Sequence, residues 1–392
     1  MTSDHDVTIV GAGPVGLALA VSLARADLAV AIVDRNAISA GDFGSETSSD
    51  TRVYAVSPGS AEFLRSLGVW QRLPRERIEA IEAMEIFGDA QGRLSFSAYE
   101  LGERALAWIV ENRELNAALV AAIHTEPRIE VVAPNAPLAI SWNADEAELR
   151  LADGRALKSR LIVGADGVYS WVRAQAGMTQ EPRPYGQCAV VANFAIEHAH
   201  RGRAFQWFYD DDGVLAWLPL PGKNMSMVWS APEALAAELL VAQPAKLAER
   251  VELNGGAALG KLEPTTPATS FPLVFLRLPT VIAHRLALVG DAAHGVHPLA
   301  GQGMNLGFGD AAALAATLRG RGAITDPGAP ILLQSYVRRR AAAVLAMQAA
   351  TDGLARLFRL SGPWMRALRN RGMSTVDALR PLKKLLAQPA LR

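Results

Sequence analysis

Short apolar runs broken by glycine-rich turns set the rhythm of this chain. Residues 7–10 form a β-rich run that meets Gly11-Ala-Gly13-Pro-Val-Gly16, after which apolar residues recur at helical spacing through Leu17, Leu19, Ala20 and Leu23. A second run, 30–33, ends in Asp34. Two further runs, 160–163 and 285–289, read as buried strands, and each passes directly into a glycine–aspartate segment. An alanine-rich helix is predicted from about Asn305 to Arg319. Between these segments, 205–209, the turn 210–213 and 214–219 predict an antiparallel hairpin, and a turn at 221–224 leads to another strand at 225–230. Near the end, Val344, Leu345, Met347, Leu354, Leu357 and Phe358 predict a helix from about Arg338, and a basic segment at 364–386 mixes Leu, Met and Trp with Arg and Lys.

Composition narrows this picture. A chain of 392 residues is long enough for two or three domains, and with 50% hydrophobic and 20% charged residues it is a folded protein rather than a disordered one. Lys+Arg and Asp+Glu both total 39, so the chain lacks the positive charge of a nucleic-acid binder and no nucleic-acid partner is expected. The balance is uneven: residues 331–392 hold twelve Lys/Arg against two Asp/Glu, leaving that segment near +10 and the remainder near −10. Cys188 is the single cysteine, which excludes an internal disulfide and a CxxC pair and fits a cytoplasmic protein. The apolar N-terminus carries Asp4 and Asp6 and is punctuated by glycines, so it is expected to be mature structure rather than a secretion signal. The most apolar stretch, 273–290, contains Arg277, His284 and Arg285, so only peripheral membrane contact is expected.

The strand–turn–helix at the start is chemically specific. Glycines let the backbone approach a pyrophosphate, the helix start offers free N–H groups to it, and Asp34, 18 residues beyond Gly16, can accept hydrogen bonds from a ribose. An acidic residue there disfavours a 2′-phosphate, leaving FAD or NAD as the occupant. The second segment, Gly164-Ala-Asp166-Gly167, and the third, Gly290-Asp291-Ala-Ala-His294, repeat the pattern of a carboxylate at a strand end. Asp291 can bind a polyol hydroxyl, and Gly301 to Gly303 place amides at a helix start, ready for an anion. Taken singly, each cluster also reads as an ordinary turn or helix cap.

Together and in this order, GAGPVG, GADG and GDAAH make the chain resemble the class A FAD-dependent monooxygenases with a para-hydroxybenzoate-hydroxylase-like fold. Asp50-Thr-Arg52-Val-Tyr-Ala55, Leu67-Gly-Val-Trp70 and His297-Pro298-Leu-Ala-Gly301-Gln302-Gly303-Met304-Asn305-Leu-Gly307 resemble the ubiquinone-biosynthesis hydroxylase (UbiH/UbiF) branch. The resemblance implies an α/β fold: a Rossmann-like FAD-binding domain (1–75, 103–180 and 281–330), an inserted antiparallel β-sheet substrate domain (76–102 and 181–280), and C-terminal helices (331–392). It implies that Gly11, Gly13, Gly16, Asp34 and Arg35 bind the ADP half of FAD, with Arg52 and Arg113 near the ribityl and phosphate groups. Asp166 would support the flavin domain and face the nicotinamide route, and Gly290 and Asp291 would hold the ribityl or pyrophosphate region. Pro298, Gly301, Gln302, Gly303, Met304 and Asn305 would line the isoalloxazine. The implied reaction uses NADPH or NADH as electron donor and O2 as co-substrate, and passes through a flavin C4a-hydroperoxide to hydroxylate a polyprenylated phenol. A hydroxylase of soluble aromatics and a non-enzymatic flavin-bound scaffold are the competing readings. Only one GxGxxG is present, so the choice between NADH and NADPH has no fingerprint of its own.

Some residues keep two readings. Arg113 sits in a helical pattern where it is either a cofactor ligand or an exposed helix charge. Trp207, Trp217 and Trp229 either line an apolar substrate pocket or pack a sheet core. No Cys, Asp or Glu cluster accompanies His294 and His297 beyond Asp291, so no metal is expected and both should pack near the flavin. The basic tail either lies on anionic lipid, placing the protein on the inner face of a membrane and within a biosynthetic complex, or docks on the acidic body.

Overall fold

The computed structural model describes residues 4–38, 50–297, 299, 301–322, 324–360 and 362–391. Its first sheet has the order Ile282–Ala283, Leu286–Leu288, Ala156–Gly164, His5–Val10, Val30–Val33, Ile129–Val132. The pairings from Leu286–Leu288 to Ile129–Val132 are parallel, and Ala147–Leu151 and Pro137–Trp142 add an antiparallel flap. The apolar runs are continuous because both faces are covered. Val7, Ile9, Leu161 and Val163 meet the helices Pro14–Ala24, Asn112–Ile123 and Gln302–Arg319, while Val10, Ala31, Val33 and Ile162 meet the flap side. Register aligns the strand ends: Val10 pairs with Val33 and Gly164, and Gly164 with Leu288. All three sequence motifs therefore leave from one edge, at the carboxyl ends of neighbouring strands, where open α/β sheets hold their ligands.

The second sheet contains nine strands. The expected hairpin forms from Arg203–Phe208 and Val214–Leu220, and Asn224–Pro232 follows antiparallel to the latter. One pairing departs from the expected antiparallel pattern: Ala83–Phe87 lies parallel to Arg203–Phe208. Glu79–Ile81, inside the expected 76–102 insert, pairs instead with Ala107–Glu111 in a three-stranded sheet with Val53–Val56. His294–Gly295, which follows the third motif, joins the nine-stranded sheet through Thr269–Arg277.

The last segment folds into Pro330–Arg359, Pro363–Ala378 and Arg380–Leu391. The first of these helices starts earlier than the apolar spacing indicated, with proline in its first turn, where the missing N–H costs nothing. Part of the basic tail docks on the body of the protein. Arg369 is buried against Asp89 and Asp210, and Lys383 pairs with Asp377 at 3.2 Å and Glu100 at 3.5 Å. Arg371, Arg380 and Lys384 face solvent.

Candidate flavin site and the cavity behind it

At the first strand end the backbone folds back tightly. Gly11 has φ +109°, and a Cβ there would overlap the Ala165 carbonyl, while a Cβ on Gly16 would overlap the Gly11 carbonyl oxygen. Gly13 differs, because a Cβ there would meet no atom within 4 Å. The first and third glycines are thus required by protein packing, and the middle one keeps open the space in front of the helix start. Asp34 fastens this turn: its carboxylate accepts from the Ala12 N–H at 2.8 Å and from the Asn36 N–H at 2.8 Å.

The second and third loops are tied to each other. Asp166 accepts from the Ser170 hydroxyl at 2.5 Å and from the Val172 N–H at 3.0 Å. Buried Arg173 donates to the Val168 carbonyl at 2.8 Å and to the Ala292 carbonyl at 3.1 Å, joining the two motifs. Beneath the third motif, Asp310 accepts from the Gly290 N–H at 2.9 Å and from Arg340 Nε at 2.7 Å, and lies 2.5 Å from His294 Nε2. Burial alone would push the His294 imidazole down, but Asp310 outweighs it and holds the ring above its ordinary pKa. Burial would likewise raise Asp310, yet His294 and Arg340 hold it below the usual carboxylate range. Spacing along the chain could not reveal this cluster, since Arg340 comes from a different helix.

Asp291 faces the cavity rather than this cluster. Enclosure by protein pushes its carboxyl above the ordinary range, opposed by the positive charges of His294 and Arg52. Arg52 lies over the Tyr54 ring, 5.6 Å from its centroid, and both line the cavity. Gly301, at φ +61°, caps the helix Gln302–Arg319, so Gln302, Gly303 and Met304 present the first turn of that helix to the same space.

These residues share one cavity of ≈ 2290 Å³, well above the roughly 300–1,000 Å³ of a pocket for one small ligand. Gly11, Gly13, Asp34, Arg35, Arg52, Asp166, Gly290, Asp291, Gly301, Gln302, Gly303 and Met304 all line it. Gly16 packs behind the turn. Asn305 is spent elsewhere: it accepts from the Ser57 N–H at 2.9 Å and donates to the Ala55 carbonyl at 2.9 Å, pinning the strand Val53–Val56 to the helix. Arg113 is not part of the described cavity wall; its guanidinium lies 3.3 Å from Glu114 and 3.5 Å from Glu111. Pro298 lies outside the described residues.

The three tryptophans need correction. Trp207, Trp217 and Trp229 pack with Phe194, Met227 and Leu239 in a core on the far side of the nine-stranded sheet, under the helices Glu233–Val241 and Pro244–Asn254. Their neighbours Gln206, Phe208, Ala216, Leu218 and Val228 face the cavity instead. Successive strand residues point to opposite faces, so the bulkiest residues took the closed face and smaller ones the ligand face. Strand alternation was the available signal, but it does not say which face is which. His294 and His297 also stay out of the cavity wall: His294 faces Asp310, and His297 lies 3.1 Å from Gln187 and edge-on to Tyr185.

The donor set fits FAD: a cradle at Gly13 that a Cβ would fill, helix amides at both ends, a carboxylate at Asp291 and arginines at 35 and 52. Comparison with known proteins agrees. A family described as FAD binding domain matches residues 4–351. The chain is 35% identical to ubiquinone hydroxylase UbiL of Rhodospirillum rubrum, over 98% of this chain and 89% of that protein. It is 32% identical to the 3-demethoxyubiquinol 3-hydroxylase of Escherichia coli, over 98% of both. Among solved structures, Pseudomonas aeruginosa PqsL in complex with 2-aminobenzoylacetate superposes with a TM-score of 0.79 at 25% identity, covering 95% of this chain and 99% of that one. The chain belongs to the FAD-dependent monooxygenase family defined by this FAD binding domain, in the branch of the ubiquinone-biosynthesis hydroxylases.

Proposed function

We propose that the protein hydroxylates the ring of a polyprenylated phenol in ubiquinone biosynthesis, consuming NAD(P)H and O2. The observation that carries this reading is the continuity of the cavity: the flavin cradle opens directly onto an apolar chamber under the second sheet, walled by Phe208, Ala216, Leu218 and Val228. The names of the relatives supply the substrate class. Bound FAD supplies the capacity to take two electrons from NAD(P)H and to activate O2, so that one oxygen atom enters the ring and the other leaves as water.

The chain's own residues bind, orient and exclude water. Gly11, Gly13, Asp34, Arg35 and Arg52 hold the ADP half and its phosphates, with Gly16 setting the turn. Gly290 and Asp291 hold the ribityl region. The helix start at Gly301 to Met304 offers its amides and positive dipole end to the negative charge of a reduced isoalloxazine. Asp166 acts through Ser170 and Val172 to shape the loop at the nicotinamide route. Asn305 sets the distance between that helix start and the strand Val53–Val56. Apolar walls keep water from the reacting centre and fix the ring against it. The C-terminal helices make the peripheral membrane contact: Trp364, Arg371, Arg380 and Lys384 are all exposed on them, and no helix among the described residues is long and apolar enough to cross a bilayer.

The test combines deletion of the gene with assay of the purified flavoprotein. Accumulation of an under-hydroxylated prenylphenol in the deletion strain, with NAD(P)H oxidation stimulated by that compound in vitro, is the expected result. Turnover confined to small water-soluble phenols, with normal ubiquinone in the strain, would overturn it.

A further inference from the structure

One row of side chains crosses the cavity face of the nine-stranded sheet, and a single polar group interrupts it. In register across six strands, from Arg183–Ile196 to Arg93–Ser97, stand Val191, Val228, Ala216, Gln206, Ile86 and Leu94, and all six line the cavity. Gln206 is 3% exposed, and its side-chain amide has no hydrogen-bond partner among the described residues. Other buried amides are spent inside the protein: Gln187 meets His297 at 3.1 Å, Gln348 donates to the Leu276 carbonyl at 2.7 Å, and Asn193 donates to the Asp50 carbonyl at 3.0 Å. An amide carries two N–H donors and two acceptor lone pairs, and leaving them unmet among apolar groups is unfavourable. Packing does not call for it, since a leucine would serve as well between Ala216 and Ile86. The cavity is the direction from which a partner can reach it.

The position of Gln206 in its strand says where that partner sits. The residues on the same face to either side of it, Ala204 and Phe208, both pack toward the segment that opens the helix Gln302–Arg319. Ala204 shares a cluster with Ala55, whose Cβ lies 3.2 Å from where a Cβ on Gly301 would stand. Phe208 shares another with Leu299. Each is roughly 7 Å from Gln206 along the strand. Gln206 therefore stands within the ring chamber, close to the helix start that meets the isoalloxazine in the reading above.

Resting on that hydroxylase reading, we propose that the Gln206 amide hydrogen-bonds the ring hydroxyl of the phenol and thereby selects which ring carbon faces the flavin. Apolar walls attract a ring without direction, so a ring held by them alone can turn in its own plane. A hydrogen bond to a fixed amide removes that freedom, because such bonds weaken steeply away from linearity. The amide also matches a neutral phenol, which both donates and accepts. A carboxylated ring would bring a charge against Ala204, Phe208, Ala216 and Ile86, none of which can pair with it.

The test uses the full-length, FAD-loaded protein with an ortho-prenylphenol and its deoxy counterpart, a prenylbenzene, binding being followed by the change in flavin absorbance. Gln206→Leu should weaken the phenol about tenfold, the worth of one hydrogen bond, and leave the prenylbenzene unchanged or tighter. Flavin content and melting temperature should not fall, because the protein loses no internal hydrogen bond. In turnover, the variant should form less hydroxylated product per NAD(P)H consumed and more than one ring isomer. An equal change for both ligands, with or without a lower melting temperature, would overturn Gln206 as the ligand of the hydroxyl. A single, unchanged isomer at undiminished yield would overturn its part in choosing the ring carbon. Weaker phenol binding by the variant, with no turnover of any prenylphenol by the wild-type protein, would uphold the ligand and overturn the hydroxylase reading instead.

Discussion

The two ends of the cavity bind by different means. At the flavin end the backbone does the work: glycines, helix amides and loop carbonyls are held by Asp34, Arg173 and Asp310. At the substrate end the surface is all side chain, set on alternate positions of strands and along one stripe of each helix. Backbone groups are the same in every residue, so the first end tolerates little change in chain geometry. The second end depends on volume, and volume can be exchanged.

The largest expected effect tests the support beneath the flavin end. Asp310→Ala leaves buried His294 and half-buried Arg340 without their shared carboxylate, and should cost about 3–5 kcal/mol of stability, read by denaturant unfolding. A loss below about 1 kcal/mol would mean that the cluster is not a support. At the substrate end, Trp217→Ala should also cost about 3–5 kcal/mol, because a fully buried side chain is removed from a core. Val228→Trp should lower kcat/KM with little change in melting temperature. If Trp217→Ala instead altered KM alone, the assignment of faces would be wrong.

Smaller effects separate the glycines. Gly16→Val should abolish flavin retention and cost about 3 kcal/mol, since its side chain collides with the Gly11 carbonyl. Gly13→Ala should leave melting of the apoprotein unchanged and weaken FAD about tenfold, because its Cβ enters open space. Equal destabilisation by both changes would dissolve the distinction. Asp291→Ala should also lower flavin content on purification, by about tenfold in affinity, the loss of one strong hydrogen bond.

The smallest effect is on pH dependence. His294 is raised in the folded state, so the stability it contributes is complete below about pH 6.5 and is lost as pH rises through its folded value. Asp310 is lowered, so its contribution is complete above about pH 3.9 and is lost as pH falls through its folded value. Melting temperature should therefore fall on both sides of that window, and His294→Asn should remove the alkaline slope.

Legibility in the sequence followed the same division. The glycine turn, the two aspartate loops and the hairpin could be read because each is a local pattern in which a few consecutive residues dictate one backbone geometry. Arg113 could not be placed, since its partners Glu111 and Glu114 compete with any phosphate for one guanidinium and only packing decides between them. Asn305 sits within a recognisable motif, yet its amide is turned to Ser57 and Ala55, 248 and 250 residues away along the chain.

By itself the sequence determined three strand–turn motifs that bind a dinucleotide, and the family that they resemble supplied the flavin. Each motif is local: a strand end, a tight turn and a helix start set by a few consecutive residues. Tertiary structure alone decided that the tryptophans are core and their neighbours are the pocket, that Asp310 and Arg340 meet under the third motif, and that the basic tail both clamps to the sheet and walls the cavity. Those outcomes depend on which of two equivalent faces finds a covering layer, and that is set by segments far apart in the chain.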